Sequence, residues 1–97
     1  MKRQTVGGYQ GPVTIIAANG QPVARAACRY RAEVDRSGSD RWQGQLHRII
    51  PADAMREGVY RLRFPDGEEG EVRVDEPRLG SDEVPFAGVG VRPLYPL

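Results

Sequence analysis

Apolar and polar residues alternate along most of the chain, and Gly- and Pro-containing turns separate the alternating segments. An apolar residue at every second position is typical of a strand with one buried face. The pattern predicts six strands, which in chain order span residues 13–18, 23–35, 41–50, 59–64, 71–75 and 84–91. Because the connections are short, we expect an all-β fold, a small antiparallel six-stranded barrel or sandwich whose strands follow one another in a meander-like order.

The segment 23–35 fits both a helical and a strand period. The two apolar stripes are Val23, Ala26, Ala27, Tyr30 and Val34 for a helix, and Ala26, Cys28, Tyr30, Ala32 and Val34 for a strand. The strand places Arg25, Arg29 and Arg31 on the opposite face, whereas the helical stripe has to accommodate Arg31. The preceding Asn19-Gly20 favours a tight hairpin turn. We therefore predict a strand.

Two further features follow from local sequence. The alternating segments 59–64 and 71–75 flank Pro65-Asp66-Gly67 and predict a hairpin. Ile49 and Ile50 interrupt the alternation of the third strand, which predicts a bulge or a strand end there.

Length and charge limit the classes of function. The 97 residues predict a single β domain, 1–97, with an ordered core of about 9–93 and peripheral ends at 1–8 and 94–97. With 14 basic and 13 acidic residues the net charge is +1, so no nucleic-acid partner and no membrane association are expected. The lack of a long apolar segment and of a secretory signal predicts a cytoplasmic protein.

Several short motifs follow one another along the chain. They are Tyr9-Gln10-Gly11-Pro12-Val13, Asn19-Gly20, Trp42-Gln43-Gly44, Pro65-Asp66-Gly67 and Phe86-Ala87-Gly88-Val89-Gly90-Val91-Arg92-Pro93. Their order resembles a small all-β domain-of-unknown-function family of high-GC bacteria, found alone or appended to flavin-dependent monooxygenases. The resemblance implies the all-β fold and a strand at 23–35. Because that family has no settled activity, it implies a function only as an alternative, that of an auxiliary domain acting with a flavin-dependent monooxygenase.

The residues that usually carry catalysis or bind metals are scarce. Cys28 is the only cysteine and alternates onto the apolar face, where a buried thiol is inert. His47 is the only histidine and falls on the opposite, polar face. We therefore predict no catalytic, cofactor-binding or metal-binding residues, and no cofactor.

Arginines on two predicted strands are the main candidates for binding. Arg25, Arg29 and Arg31 share one face of the second strand, and Arg61, Arg63 and Arg73 share one face of the hairpin. If these strands are neighbours, the guanidinium groups could hold an anion or a nucleic-acid backbone. Acidic residues on the same faces, namely Glu33, Asp35, Glu71 and Asp75, favour a salt-bridged outer surface instead.

Trp42 is expected in the core with Tyr30, Tyr60, Leu62 and Val72, and is a ligand candidate if a cavity lies behind it. The candidate ligand or anion residues are thus Arg25, Arg29, Arg31, Arg61, Arg63 and Trp42. The sequence predicts a non-catalytic module that contacts a partner protein or captures a small ligand in the mouth of a barrel, with anion or nucleic-acid binding as a minor alternative.

Overall fold

The computed structural model describes residues 4–34, 37, 40–76 and 82–90. The strands are β1 (Gln4–Ile16), β2 (Pro22–Val34), β3 (Asp40–Ile50), β4 (Gly58–Arg63), β5 (Glu69–Val74) and β6 (Glu83–Val89). Within those residues there is no helix, so the predicted all-β class is confirmed.

The strands close into a barrel in the order β1-β2-β3-β6-β5-β4, and all neighbours are antiparallel. The prediction of a six-stranded antiparallel barrel or sandwich is therefore confirmed, as a barrel. Consecutive strands pair within each half, β1-β2-β3 and β4-β5-β6, so each half is a meander. The halves are joined by pairing of β3 with β6 and of β1 with β4, so β3 and β4 are not neighbours although they are consecutive in the chain.

The segment 23–35, which fitted both a helical and a strand period, is a strand, as predicted. Its residues are alternately buried and exposed from Ala24 to Ala32, with Ala27 half-buried. The turn before it also forms as expected: Gly20 has φ 87° and its N–H donates to the Ala17 carbonyl at 2.9 Å. The Asn19 side-chain oxygen accepts a hydrogen bond from the Gln21 N–H at 2.9 Å.

The first strand is longer than its apolar pattern predicted. It begins at Gln4 rather than at Val13, and its N-terminal part pairs with β2 between Val34 and Ala27. These residues are rich in Gly and show no alternation of apolar and polar side chains. They form a strand because their backbone pairs with that of β2, and such pairing can override a weak local preference for the strand conformation. Residues 4–8, expected at the periphery, thus belong to the barrel wall. The expected C-terminal tail, 94–97, lies outside the described residues.

The predicted irregularity in the third strand is a bulge. Arg25 pairs with Ile50 and Ala27 with His47, so β3 contains one residue more than β2 over this interval. Arg48, within the bulge, has φ 52°. The extra residue explains why the alternation of β3 fails at Ile49 and Ile50.

Alternate residues of every strand fill the barrel interior. An aromatic cluster lies near its middle, where Tyr30 contacts Trp42 with ring centroids 5.4 Å apart and Trp42 contacts Phe86 at 5.8 Å. The buried apolar residues are Val13, Ile15, Ile16, Ala24, Ala26, Cys28, Tyr30, Ala32, Trp42, Leu46, Met55, Leu62, Phe64, Val72, Val74, Val84 and Phe86. Trp42 and three of its expected neighbours are therefore core residues, and the fourth, Tyr60, is half-buried against them.

Candidate functional site

The predicted stripe of arginines is divided in the structure. β2 and β4 are not neighbours, because β1 lies between them and Thr14 of β1 pairs with Arg25 on one side and Arg63 on the other. Arg29 and Arg31 thus lie on a different part of the barrel wall from Arg61 and Arg63. A continuous anion-binding face would require the two arginine-bearing strands to be neighbours, and they are not.

The hairpin arginines have a carboxylate partner. Arg63 Nε lies 2.8 Å from Glu69 Oε2, and Arg61 Nη1 lies 3.4 Å from Glu69 Oε1. The acidic residue that the sequence suggested for this face, Glu71, is opposite Arg61 in the register, yet Glu69 makes the ion pairs. The two guanidinium groups and this one carboxylate carry a net charge of +1, and both guanidinium groups already have Glu69 as a partner.

Arg29 and Arg31 of β2 line an open groove on the outside of β2, β3 and β6, with a volume of about 650 Å³. We refer to it as the β2–β3–β6 groove. Its lining residues are Arg29, Tyr30, Arg31, Gln43, Gly44, Gln45, Pro85 and Phe86. The register places Arg29, Gln45 and Pro85 side by side across the three strands, and it places Arg31 beside Gln43 in the next exposed row.

The polar groups of the groove are mostly hydrogen-bond donors. Arg29 donates from Nη2 to Gln45 Oε1 at 3.2 Å. Arg31 Nε lies 3.7 Å from Glu33 Oε2, and the Arg31 side chain is 64% exposed. The lining residues include two guanidinium groups, two carboxamides and no carboxylate. The groove can therefore donate several hydrogen bonds to an acidic group while the solvent side remains open.

Gly44 allows the strands to approach each other at the floor of the groove. A Cβ atom built on Gly44 would overlap the Arg29 carbonyl oxygen and lie 2.7 Å from Tyr30 Cα. Any larger residue would force β2 and β3 apart at this point. The glycine thus holds the arginine and glutamine rows at their observed separation.

The remaining candidates lie elsewhere. Arg25 borders a smaller depression of about 160 Å³ together with Thr14 and Arg63, whose guanidinium already binds Glu69. Trp42 is only 3% exposed and does not line the groove, so it faces the core. Its indole Nε1 is buried and has no hydrogen-bond partner among the described residues.

The only cysteine is unsuited to nucleophilic chemistry. Cys28 is fully buried, and burial raises its pKa from 9.0 to about 12, so the thiol stays protonated at neutral pH. Among the residues that the structure describes, no group of three or more His, Cys, Asp and Glu side chains could hold a metal ion. The same part of the chain contains no helix long and apolar enough to cross a membrane.

The sequence analysis did not identify the outward-facing groove residues Gln43, Gln45 and Pro85 as candidates. Alternation did place both glutamines on the outer face, and pairing of consecutive strands could have placed them beside Arg29 and Arg31. No local signal indicated that β6, with Pro85, lies next to β3.

Comparison of the chain with known protein families, with curated proteins and with solved structures found no significant match.

Proposed function

We propose that this chain is a non-catalytic binding module and that its β2–β3–β6 groove docks an acidic segment of a partner protein. The observation that carries the proposal is a groove of about 650 Å³ whose lining side chains include Arg29, Arg31, Gln43 and Gln45 and no carboxylate.

A partner protein fits this groove better than a small ligand does. Small-molecule sites are concave pockets that bury most of their ligand behind apolar walls. The barrel interior is filled by packed side chains, and the groove is open along the outer wall. A protein segment brings its own surface to cover the open side, which excludes water from the contacts below.

Charge complementarity favours an acidic segment. Guanidinium groups bind carboxylates through two parallel hydrogen bonds, and such bonds are stronger than those between neutral groups. Arg29 is held by a neutral side chain, Gln45, so its positive charge is not balanced by that contact. The ion pair of Arg31 with Glu33 is long, at 3.7 Å, and its Arg31 side is 64% exposed, so water weakens the attraction between the two charges. A partner carboxylate can therefore replace it.

The state of Cys28 supports a role without catalysis. A buried thiol with a raised pKa offers no thiolate at neutral pH, and its position inside the barrel separates it from any ligand in the groove.

The proposal is tested with a fluorescein-labelled unstructured peptide that contains four glutamates, titrated with the protein and followed by fluorescence anisotropy. We expect saturable binding that weakens at higher salt, because the contacts are between exposed charges. The double variant Arg29→Gln/Arg31→Gln should weaken binding by about tenfold, since it removes two exposed charge pairs of up to about 1 kcal/mol each and about 1.4 kcal/mol corresponds to a factor of ten.

Arg25→Gln is the matched control, because Arg25 lies on the same face of β2 but outside the groove. It should bind the peptide with the affinity of the wild type. The proposal fails if the peptide does not bind, if a peptide with glutamine in place of glutamate binds equally well, or if Arg25→Gln weakens binding as much as the double variant does.

A further inference from the structure

We infer that the acidic segment binds in an extended conformation, with carboxylates on two residues separated by one other residue, one carboxylate for Arg29 and one for Arg31. This inference rests on the proposed function of the groove and specifies the arrangement of the ligand.

The spacing of the two arginines matches an extended chain. Arg29 and Arg31 are separated by one residue of β2 and both are exposed on its outer face. Residues at such positions are about 6.7 Å apart along a strand, because each residue advances the chain by about 3.3–3.4 Å. An extended peptide that lies over the outer face along the direction of β2 has the same advance, so its side chains at alternate positions meet the two guanidinium groups together.

The second row of the groove has the same spacing. Gln43 is opposite Arg31 and Gln45 is opposite Arg29, so each arginine has one carboxamide beside it. A carboxamide both donates and accepts hydrogen bonds, as a peptide group does. While the arginines bind carboxylates, the glutamines can thus bind the backbone of the same segment.

The separation of the two carboxylates by one residue favours a strand over a helix. On a helix, residues i and i+2 do not face the same side, so a helical segment could not bring both carboxylates to Arg29 and Arg31. Adjacent acidic residues in an extended chain point to opposite faces, so only one of them could reach an arginine.

Three blocked peptides of identical composition test the spacing. Each contains two glutamates among threonines, in the patterns Glu-Glu, Glu-Thr-Glu and Glu-Thr-Thr-Glu, and affinity is measured by isothermal titration calorimetry. We expect Glu-Thr-Glu to bind at least about fivefold more tightly than the other two, because it alone engages both guanidinium groups at once. Arg29→Gln and Arg31→Gln should each abolish that preference, whereas Arg25→Gln should preserve it.

Two further measurements examine the individual contacts. Glu33→Gln removes the carboxylate that competes for Arg31, and it should strengthen binding of Glu-Thr-Glu by about two- to fivefold. Glutarate carries two carboxylates without a peptide backbone, and it should compete only at much higher concentration than the peptide if the glutamines bind peptide groups.

The possible failures are distinguishable. Equal affinity for the three peptides, tighter binding of Glu-Thr-Thr-Glu, or equally effective competition by glutarate would overturn the extended two-carboxylate arrangement and leave an acid-binding groove. Binding of none of the three peptides, together with no binding of the four-glutamate peptide, would overturn the proposed function as well.

Discussion

The contact between Trp42 and Gly88 limits what can occupy the position of that glycine. A Cβ atom on Gly88 would overlap the indole ring, at Nε1 and the neighbouring carbons. Trp42 is 3% exposed, so the ring has little room to move away. The glycine is therefore needed for packing rather than for a special backbone conformation.

We predict that Gly88→Ala lowers the free energy of unfolding by about 1–3 kcal/mol, the usual effect of adding a methyl group to a filled core. The measurement is urea denaturation, and the control is the same substitution in a Trp42→Phe background. The smaller ring should relieve the overlap, so the effect of Gly88→Ala should become smaller there. Equal effects in both backgrounds would show that the indole is not the cause.

The thiol of Cys28 gives a prediction about pH. Because its pKa is about 12 in the folded chain and 9.0 for an ordinary thiol, the unfolded chain loses this proton first as the pH rises. Above pH 9 the contribution of Cys28 to the free energy of unfolding should therefore fall with increasing pH, by at most about 1.4 kcal/mol per pH unit. Below about pH 8 its contribution should not depend on pH, because the thiol is then protonated in both states.

Urea denaturation at several pH values between 8 and about 10.5 measures this effect. Other groups also titrate in that range, so the quantity of interest is the difference between the wild type and Cys28→Ala. If that difference stays constant with pH, the thiol is not protected in the folded state. Native Cys28 should also react with a thiol reagent only when the protein unfolds.

At the scale of the elements, turn chemistry determines where β1 ends and β2 begins. Gly20 has φ 87°, a conformation that glycine and asparagine adopt more readily than other residues. We predict that Gly20→Ala lowers the free energy of unfolding by about 1–2 kcal/mol. Gly20→Asn should have a clearly smaller effect, and thermal denaturation followed by circular dichroism compares them. Equal effects of the two substitutions would contradict this explanation.

Alternation predicted β2 to β5 well because each has one face toward the core. Alternation did not predict the start of β1, because Gly7, Gly8 and Gly11 have no side chain whose polarity would indicate a buried face. The end of β3 is a different case: its bulge changed the period, and the sequence showed that change at Ile49 and Ile50.

At the scale of the whole molecule, the distribution of charge argues against nucleic-acid binding. The net charge is +1, and the arginines of the hairpin share Glu69. Binding to a phosphate backbone needs a continuous basic surface, but the arginines of β2 and β4 are separated by β1.

We therefore predict no measurable affinity for short single-stranded or duplex DNA and RNA at about 50 mM or 200 mM salt, the range in which phosphate contacts lose most of their affinity. Anisotropy titrations with labelled oligonucleotides provide the test. Micromolar binding at the lower salt that is lost when Arg25, Arg29 and Arg31 are changed to alanine would contradict this prediction.

The sequence by itself determined which face of most strands is buried and where the tight turns lie, because both depend on residues close together in the chain. Tyr30, Trp42 and Leu62 were placed in the core from alternation alone, and Arg29 and Arg31 on the outer wall. Tertiary structure decided the pairing of β3 with β6 and of β1 with β4, since strand pairing across a barrel depends on closure and not on local periodicity. The β6 side of the groove could therefore not be predicted from the sequence, because only closure of the barrel brings Pro85 beside Gln45 and Arg29.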